Sequence, residues 1–189
     1  IKYDVTISYK GIAKNARDEL MIESLKHWNL YCSKNGYSEI IKLFYGQFLS
    51  QTLCDNCKYS NNNFEPFLPI NIQINNECNT LKEAFKLFTN VENIEDYKCD
   101  KCNNKNSTKK QLVIWKSPQI LIIVLKRFLG YEKFQQHIHF PLEMNLRDYV
   151  KGYDNDNSNY ILNSVIEHQG ETNFGHYICY CKKNDGFYK

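Results

Sequence analysis

Leu53-Cys54-Asp55-Asn56-Cys57-Lys58 opens a spacing that returns at Lys98-Cys99-Asp100-Lys101-Cys102-Asn103, with 41 residues between the two inner cysteines. A Cys-x-x-Cys pair sets two thiols close together on one tight turn. Two such turns brought together make a tetrahedral sulfur cage of the kind Zn²⁺ favours. No histidine stands at ligand spacing among them, so Cys54, Cys57, Cys99 and Cys102 are the simplest ligand set. A four-thiolate cage leaves no position open for water, so a zinc ion here is expected to be structural and not catalytic. The long separation makes the ion a tie between the tips of two distant hairpins. Zinc ribbons also occur in nucleic-acid binders, so the cage alone does not decide function.

Outward from the cage, the chain reads as helices first and strands after. Residues 1–12 show no period and read as an unanchored lead-in. Over residues 13–32, Ala16, Leu20, Leu25, Trp28 and Tyr31 recur as an apolar stripe at helical spacing, and Gly36 stands where a helix stops. Ser38 can cap a short helix over 39–44. From Gly46 the pattern turns to strand and runs into the first cysteine pair. Residues 64–74 read as extended, broken by Pro66 and Pro69. Thr80-Leu81-Lys82-Glu83 is a capping box, with Leu81, Ala84, Phe85 and Phe88 as the apolar face of its helix. Tyr97 leads into the second pair. Strands are expected over 112–115, 120–128, 137–140, 160–168 and 176–181, and a flexible loop over 151–159. This order predicts an α+β fold in which many antiparallel strands follow the helices.

Composition excludes some functions. The 189 residues are 42% hydrophobic and 24% charged, ordinary for a globular protein with room for one domain. A net charge of +3 is too small to argue for nucleic acid. The longest apolar run, residues 120–125, is a strand's length, far short of the ~20 residues a membrane helix needs. Outside the cage, Cys32, Cys78, Cys179 and Cys181 have no framework spacing, so a reducing cytoplasmic or nuclear compartment is expected. The chain opens on Ile1, which suggests a piece of a longer protein.

Downstream, Gly175-His176-Tyr177 opens a strongly patterned strand behind the polar loop Gln169-Gly170-Glu171-Thr172-Asn173-Phe174. A lone histidine is more often structural than catalytic. One at the mouth of a rigid strand, after a glycine and beside a mobile loop, is well placed as a general base. It needs a nucleophile. Cys179 and Cys181 lie three and five residues further on, so strand alternation turns both away from His176. Cys32 lies on the first helix, and Cys78 lies between the two cysteine pairs, ahead of a helix cap.

Several blocks, in order, resemble the ubiquitin-specific protease family of papain-like cysteine proteases, with its fingers, palm and thumb. They are residues 28–57 with Phe44-Tyr45-Gly46-Gln47, the second cysteine pair, residues 118–128 ending in Leu125-Lys126-Arg127-Phe128, and Phe140-Pro141-Leu142 with Leu146 and Tyr149. Residues 160–180, with His168, Gly170 and Gly175-His176-Tyr177, resemble the family's histidine box. The resemblance runs from about Leu20 to the end; the first 19 residues match nothing. It implies that residues 1–189 are the C-terminal part of such a catalytic domain: a helical segment at 13–45, zinc-bearing fingers with an inserted helix at 46–116, and a palm at 117–189. It implies that His176 is the catalytic base, that Gly170, Gly175 and Tyr177 border the substrate channel, and that the fingers grip ubiquitin.

The departures from the family are equally specific. No Gly-Asn-x-x-Cys box for the nucleophile occurs, nor the Gln-Asp-x-x-Glu-Phe helix box that follows it. Gly186-Phe187-Tyr188-Lys189 looks like the stretch that precedes the third triad residue. The expected parent is a deubiquitinase cleaving after ubiquitin's C-terminal glycine, and the 189 residues alone are expected to be inactive. The alternatives are a ubiquitin-binding pseudoprotease and a zinc-ribbon nucleic-acid module. The last is disfavoured because Asp55, Glu95, Asp96 and Asp100 offset Lys58, Lys98, Lys101 and Lys105. Neither nucleic acid nor membrane is an expected partner.

Overall fold

A computed structural model describes residues 2–75, 77–130, 132–153, 158–184 and 186–189. Strand β1 (Lys2–Tyr3) is followed by helix α1 (Ala16–Asn35), strand β2 (Tyr37–Ser38) and helix α2 (Glu39–Phe44). The Asn15 side chain caps α1 by accepting from the Asp18 N–H, and Gly36 ends it at φ 72°, a conformation that favours glycine. The lead-in is anchored, contrary to expectation. β1 pairs antiparallel with β2, and Asn29 exchanges two hydrogen bonds with the backbone of Ile7. The buried face of α1 also differs from the expected stripe. It runs through Ser24, Trp28 and Cys32, with Leu20 and Met21 packed beside it, while Ala16 is exposed. Polar Ser24 is buried because its hydroxyl bonds the Met21 carbonyl and its own carbonyl accepts from Gln47. α2 lies where Ser38 was expected to cap it.

Strands β3 (Gly46–Cys54) and β4 (Ser60–Phe67) form the first long hairpin. A second follows strand β5 (Pro69–Gln73) and helix α3 (Leu81–Phe88), as strands β6 (Val91–Lys98) and β7 (Lys105–Lys116). The two hairpins join into a four-stranded antiparallel sheet in the order β4-β3-β7-β6. Pro66 fits because β4 is an edge strand, and Pro69 fits at the first position of β5.

Strand alternation gives the base of this sheet two buried faces. Leu49, Phe64, Val113 and Trp115 pack with Leu20 and Met21 of α1. On the other face Phe48 stacks on Phe67, with ring centroids 4.0 Å apart, and joins the main core of Ile70, Ile72, Phe85, Ile114, Ile138 and Leu146. Phe85 is fully buried, and burying such a ring contributes about 2–3 kcal/mol. The α3 capping box is complete: the Thr80 hydroxyl accepts from the Glu83 N–H, and the Glu83 carboxylate accepts from the Thr80 N–H.

Strand β8 (Ile122–Lys126) pairs with β5 in parallel, where only antiparallel strands were expected. The helix and hairpin between the two strands supply the crossover a parallel pair needs. Four short strands follow: β9 (Phe128–Leu129), β10 (Glu132–Lys133), β11 (Glu143–Asn145) and β12 (Asn159–Ile161). Residues 137–140 form no sheet strand. They make one bridge, Thr80 to His139, and the His139 carbonyl accepts from Leu81 at the start of α3. Of the expected loop, residues 154–157 lie outside the described residues. Its start is tied down: Gly152 is buried, and its carbonyl accepts from Arg17 at 2.8 Å. A three-stranded antiparallel sheet of β13 (Ser164–Gly170), β14 (Gly175–Lys183) and β15 (Gly186–Tyr188) completes the chain.

Candidate functional site

At the far end of the fingers, both Cys-x-x-Cys turns adopt one local geometry. The N–H of Lys58 reaches back to the Cys54 carbonyl, and that of Asn103 to the Cys99 carbonyl. Lys58 and Asn103 both sit in the left-handed region, at φ 56° and 55°. Cys54 and Cys99 each donate their own N–H two residues beyond the pair, to the carbonyls of Tyr59 and Asn104. Each hairpin therefore ends in the same knuckle, and the β3–β7 pairing sets the two knuckles face to face.

The four sulfurs lie within 4.8 Å of one another, with Cys54–Cys102 at 3.9 Å and Cys57–Cys99 at 3.6 Å. Tetrahedral Zn–S bonds of about 2.3 Å require sulfurs ~3.8 Å apart, so the cage fits that ion. The Cys57 N–H, ahead of that of Asn56, draws the Cys54 thiol below its usual value. The Asn104 N–H draws Cys102 down to about 7, with help from the Asn56 side chain. Cys57 receives the Tyr59 N–H, yet burial and its three sulfur neighbours push it up to about 11. Several thiolates this close repel one another, and a cation removes that repulsion.

Among the described residues, none of the three hydrophobic clusters reaches the distal sheet. Between the packed base and the knuckles the paired residues are polar, with Ser50, Gln51 and Thr52 opposite Asn61, Asn62 and Asn63. The backbone ladder, polar side-chain bonds such as Gln51 to Asn62, the Lys101–Tyr59 contact and the sulfur cage close this end.

The second site lies at the tip of the β13–β14 hairpin. Gly170 pairs with Gly175 across the turn, and Gln169 with His176. Gly170 holds φ 132°, and a Cβ there would meet the Gly175 Cα at 2.5 Å. A Cβ on Gly175 would run into the Nε2 of His168. Both glycines are therefore required by close approach, and the strand delivers His176 immediately after them. His176 is exposed. Alternation places it on one face with Ile178 and Tyr180, and Tyr177, Cys179 and Cys181 on the other.

His168 was noted only as part of the histidine box, yet it organises the opposite face. Its ring lies 4.6 Å from that of Tyr177 and 5.8 Å from that of Phe128. Its Nδ1 is buried with no hydrogen-bond partner among the described residues. Lys133 clamps the same tip, donating to the carbonyls of His168 at 2.8 Å and Gly170 at 2.7 Å. Lys133 carries no local sequence signal, since 35 residues separate it from His168.

All eight cysteines are described, and none lies at the His176 tip. Four form the cage, Cys32 and Cys78 are buried, and Cys179 and Cys181 face away from His176.

The sequence model of the family described as ubiquitin carboxyl-terminal hydrolase matches residues 13–189. The chain is 32% identical to ubiquitin carboxyl-terminal hydrolase 23 of Arabidopsis thaliana over 158 residues, 80% of this chain and 18% of that protein. It is 37% identical to hydrolase 21 of the same plant over 148 residues, 74% of this chain and 20% of that protein. Among solved structures, the yeast SAGA DUB module superposes with a TM-score of 0.72 at 27% identity, over 85% of this chain and 38% of that one. The SAGA DUB module bound to ubiquitin aldehyde gives 0.70 at 29% identity, over 88% and 41%. The chain thus spans about a fifth of the length of the first curated relatives it matches. It belongs to the ubiquitin carboxyl-terminal hydrolase family, with the α+β, papain-like architecture of the ubiquitin-specific proteases.

Proposed function

We propose that this chain supplies the general base and the ubiquitin-gripping fingers of a cysteine deubiquitinase, with residues 46–116 as fingers and 117–189 as palm. The observation that carries the reading is the two-glycine closure of the β13–β14 hairpin. It leaves His176 exposed at the end of a strand paired along its length. The His176 imidazole would accept the proton of a cysteine thiol, and the thiolate would attack the carbonyl of ubiquitin's C-terminal glycine. The imidazolium would then return the proton to the leaving amine. Gly170, Gly175 and Tyr177 would border the tail of ubiquitin, where the absence of side chains lets a peptide backbone approach closely. Cys54, Cys57, Cys99 and Cys102 would hold a structural Zn²⁺ that fixes the fingers against ubiquitin's globular body. Ubiquitin bound to structural relatives supports this partner. The proposed compartment is the cytoplasm or nucleus, whose reducing conditions would keep the cage and a cysteine nucleophile as thiols.

The nucleophile would lie outside these 189 residues, since no cysteine of the chain lies at the His176 tip. A triad acts as a unit, so the chain alone would not turn over. The same absence favours a second reading, a pseudoprotease that binds ubiquitin without cleaving it. The test compares the full-length protein with its His176→Ala variant on a ubiquitin–fluorophore conjugate. Turnover lost in the variant, with ubiquitin affinity kept, is the result expected of a base. Unchanged turnover would overturn the assignment. Absence of turnover in both, with binding intact, selects the pseudoprotease.

A further inference from the structure

Two cysteines remain outside the cage, the buried core and the proposed chemistry. Cys179 and Cys181 stand two apart on β14, on one face, with their sulfurs 3.4 Å from each other. Both are exposed. Their backbone is held firmly: Cys179 pairs with Ile166, and Cys181 pairs with Ser164 on one side and Tyr188 on the other. The two thiols therefore meet because the strand presents them side by side. The other six cysteines are each occupied with the cage or buried in the cores.

We propose that Cys179 and Cys181 form a site of reversible oxidation, closing to an intrastrand disulfide in exchange with a low-molecular-weight disulfide such as oxidised glutathione. One cysteine thiolate attacks a sulfur of the small disulfide and expels one small thiolate. The second cysteine, its proton released to solvent, attacks the protein sulfur of the mixed disulfide and expels the other. One S–S bond breaks in the oxidant and one forms in the chain. Two electrons pass from the cysteines to the small molecule, which leaves as two thiols.

Strand geometry makes the product reducible. Two residues along a strand span roughly 6.4–6.8 Å between Cα atoms. Disulfides prefer about 5.5–6 Å, so closure must draw β14 in locally. A strained, exposed disulfide is the kind that reducing thiols reopen. Cys179 lies three residues beyond His176 on the same strand, so the distortion falls beside the histidine tip. The Cys179 thiol is raised above its usual value first by its hydrogen bond to Cys181, as expected where two sulfurs share a proton.

Proteolysis at lysine isolates residues 152–182, a peptide containing these two cysteines and no other. The full chain is equilibrated in buffers of varied reduced-to-oxidised glutathione ratio, quenched with acid, denatured, alkylated with iodoacetamide and digested. The expected result at oxidising ratios is an unalkylated peptide two hydrogen masses lighter, returning to the doubly alkylated form at reducing ratios. Cys179→Ser and Cys181→Ser should each instead retain one glutathione on the remaining cysteine. Double alkylation at every ratio would overturn the proposal. So would a wild-type peptide that accumulates glutathione adducts without the internal disulfide.

Discussion

The fingers and the histidine hairpin are both antiparallel hairpins whose tips carry the residues of the proposed chemistry, yet they are closed in opposite ways. The finger tips are shut by side chains: four sulfurs converge, and the β3–β4 pairs just behind them are polar. The β13–β14 tip is shut by missing side chains: Gly170 and Gly175 let two backbones meet, and Lys133 ties down the carbonyls that remain. The first arrangement fills every ligand position and suits a rigid prop. The second leaves His176 exposed and suits a group that must reach a substrate. A hairpin can thus be closed by adding ligands or by removing bulk, and only the second leaves its tip open.

The sharpest way to break that contrast is to strip the cage of the Zn²⁺ proposed for it. Structural zinc sites contribute on the order of 10 kcal/mol in apparent folding energy, as much as many whole domains possess. Chelation, or Cys54→Ser, should abolish amide protection over the distal halves of β3, β4, β6 and β7. Protection in β13 and β14 should survive. Elemental analysis should return one zinc per chain beforehand. Unchanged protection at the knuckles after chelation would mean that the thiols need no ion.

A smaller effect should separate the two roles within the hairpin. Gly175→Ala drives a methyl into the His168 ring and should cost about 1–3 kcal/mol in urea unfolding, the usual range for overpacking. His176→Ala removes an exposed ring and should stay within ~0.5 kcal/mol of the parent. Equal losses would mean that His176 is a packing residue and that the tip is not open in the sense drawn here.

The smallest effect belongs to α3, remote from both tips, and serves as the reference. The N–H groups of Asn79 and then Thr80 hold the Glu83 carboxyl below its usual value. A carboxylate depressed in the folded state stabilises it above the unfolded pKa, and that contribution fades as pH falls through the folded pKa. Glu83→Gln should flatten this part of the acid limb in a stability–pH curve. Thr80→Ala should cost about 1 kcal/mol at neutral pH. Neither should alter metal content or the chemistry at β14.

The two knuckles, the capping box and α2 were legible because each is written in neighbouring residues, and the cage followed because the same knuckle is written twice. Cys-x-x-Cys, Thr-x-x-Glu and a serine before a short apolar run are local hydrogen-bond or ligand geometries that need no distant partner. The position of His176 at the mouth of a strand was legible for the same reason, from the glycine before it and the pattern after it. The buried face of α1 was misread because Ser24 looks polar. It is buried by a bond from Gln47, 23 residues away, which no helical period reveals. The lead-in was misread because its partners, Asn29 and β2, come later in the chain.

Neighbouring residues thus specify the local closures: which of them turn, which cap and which thiols stand in pairs, and the family to which their order belongs. Tertiary structure alone decided that β5 and β8 run parallel, that residues 137–140 dock on α3 instead of joining a sheet, and that Lys133 clamps the histidine tip. The physical reason is range. Turns, caps and knuckles are satisfied within a few residues. Strand partners, buried polar bonds and side-chain contacts depend on which distant surfaces the hydrophobic core brings together.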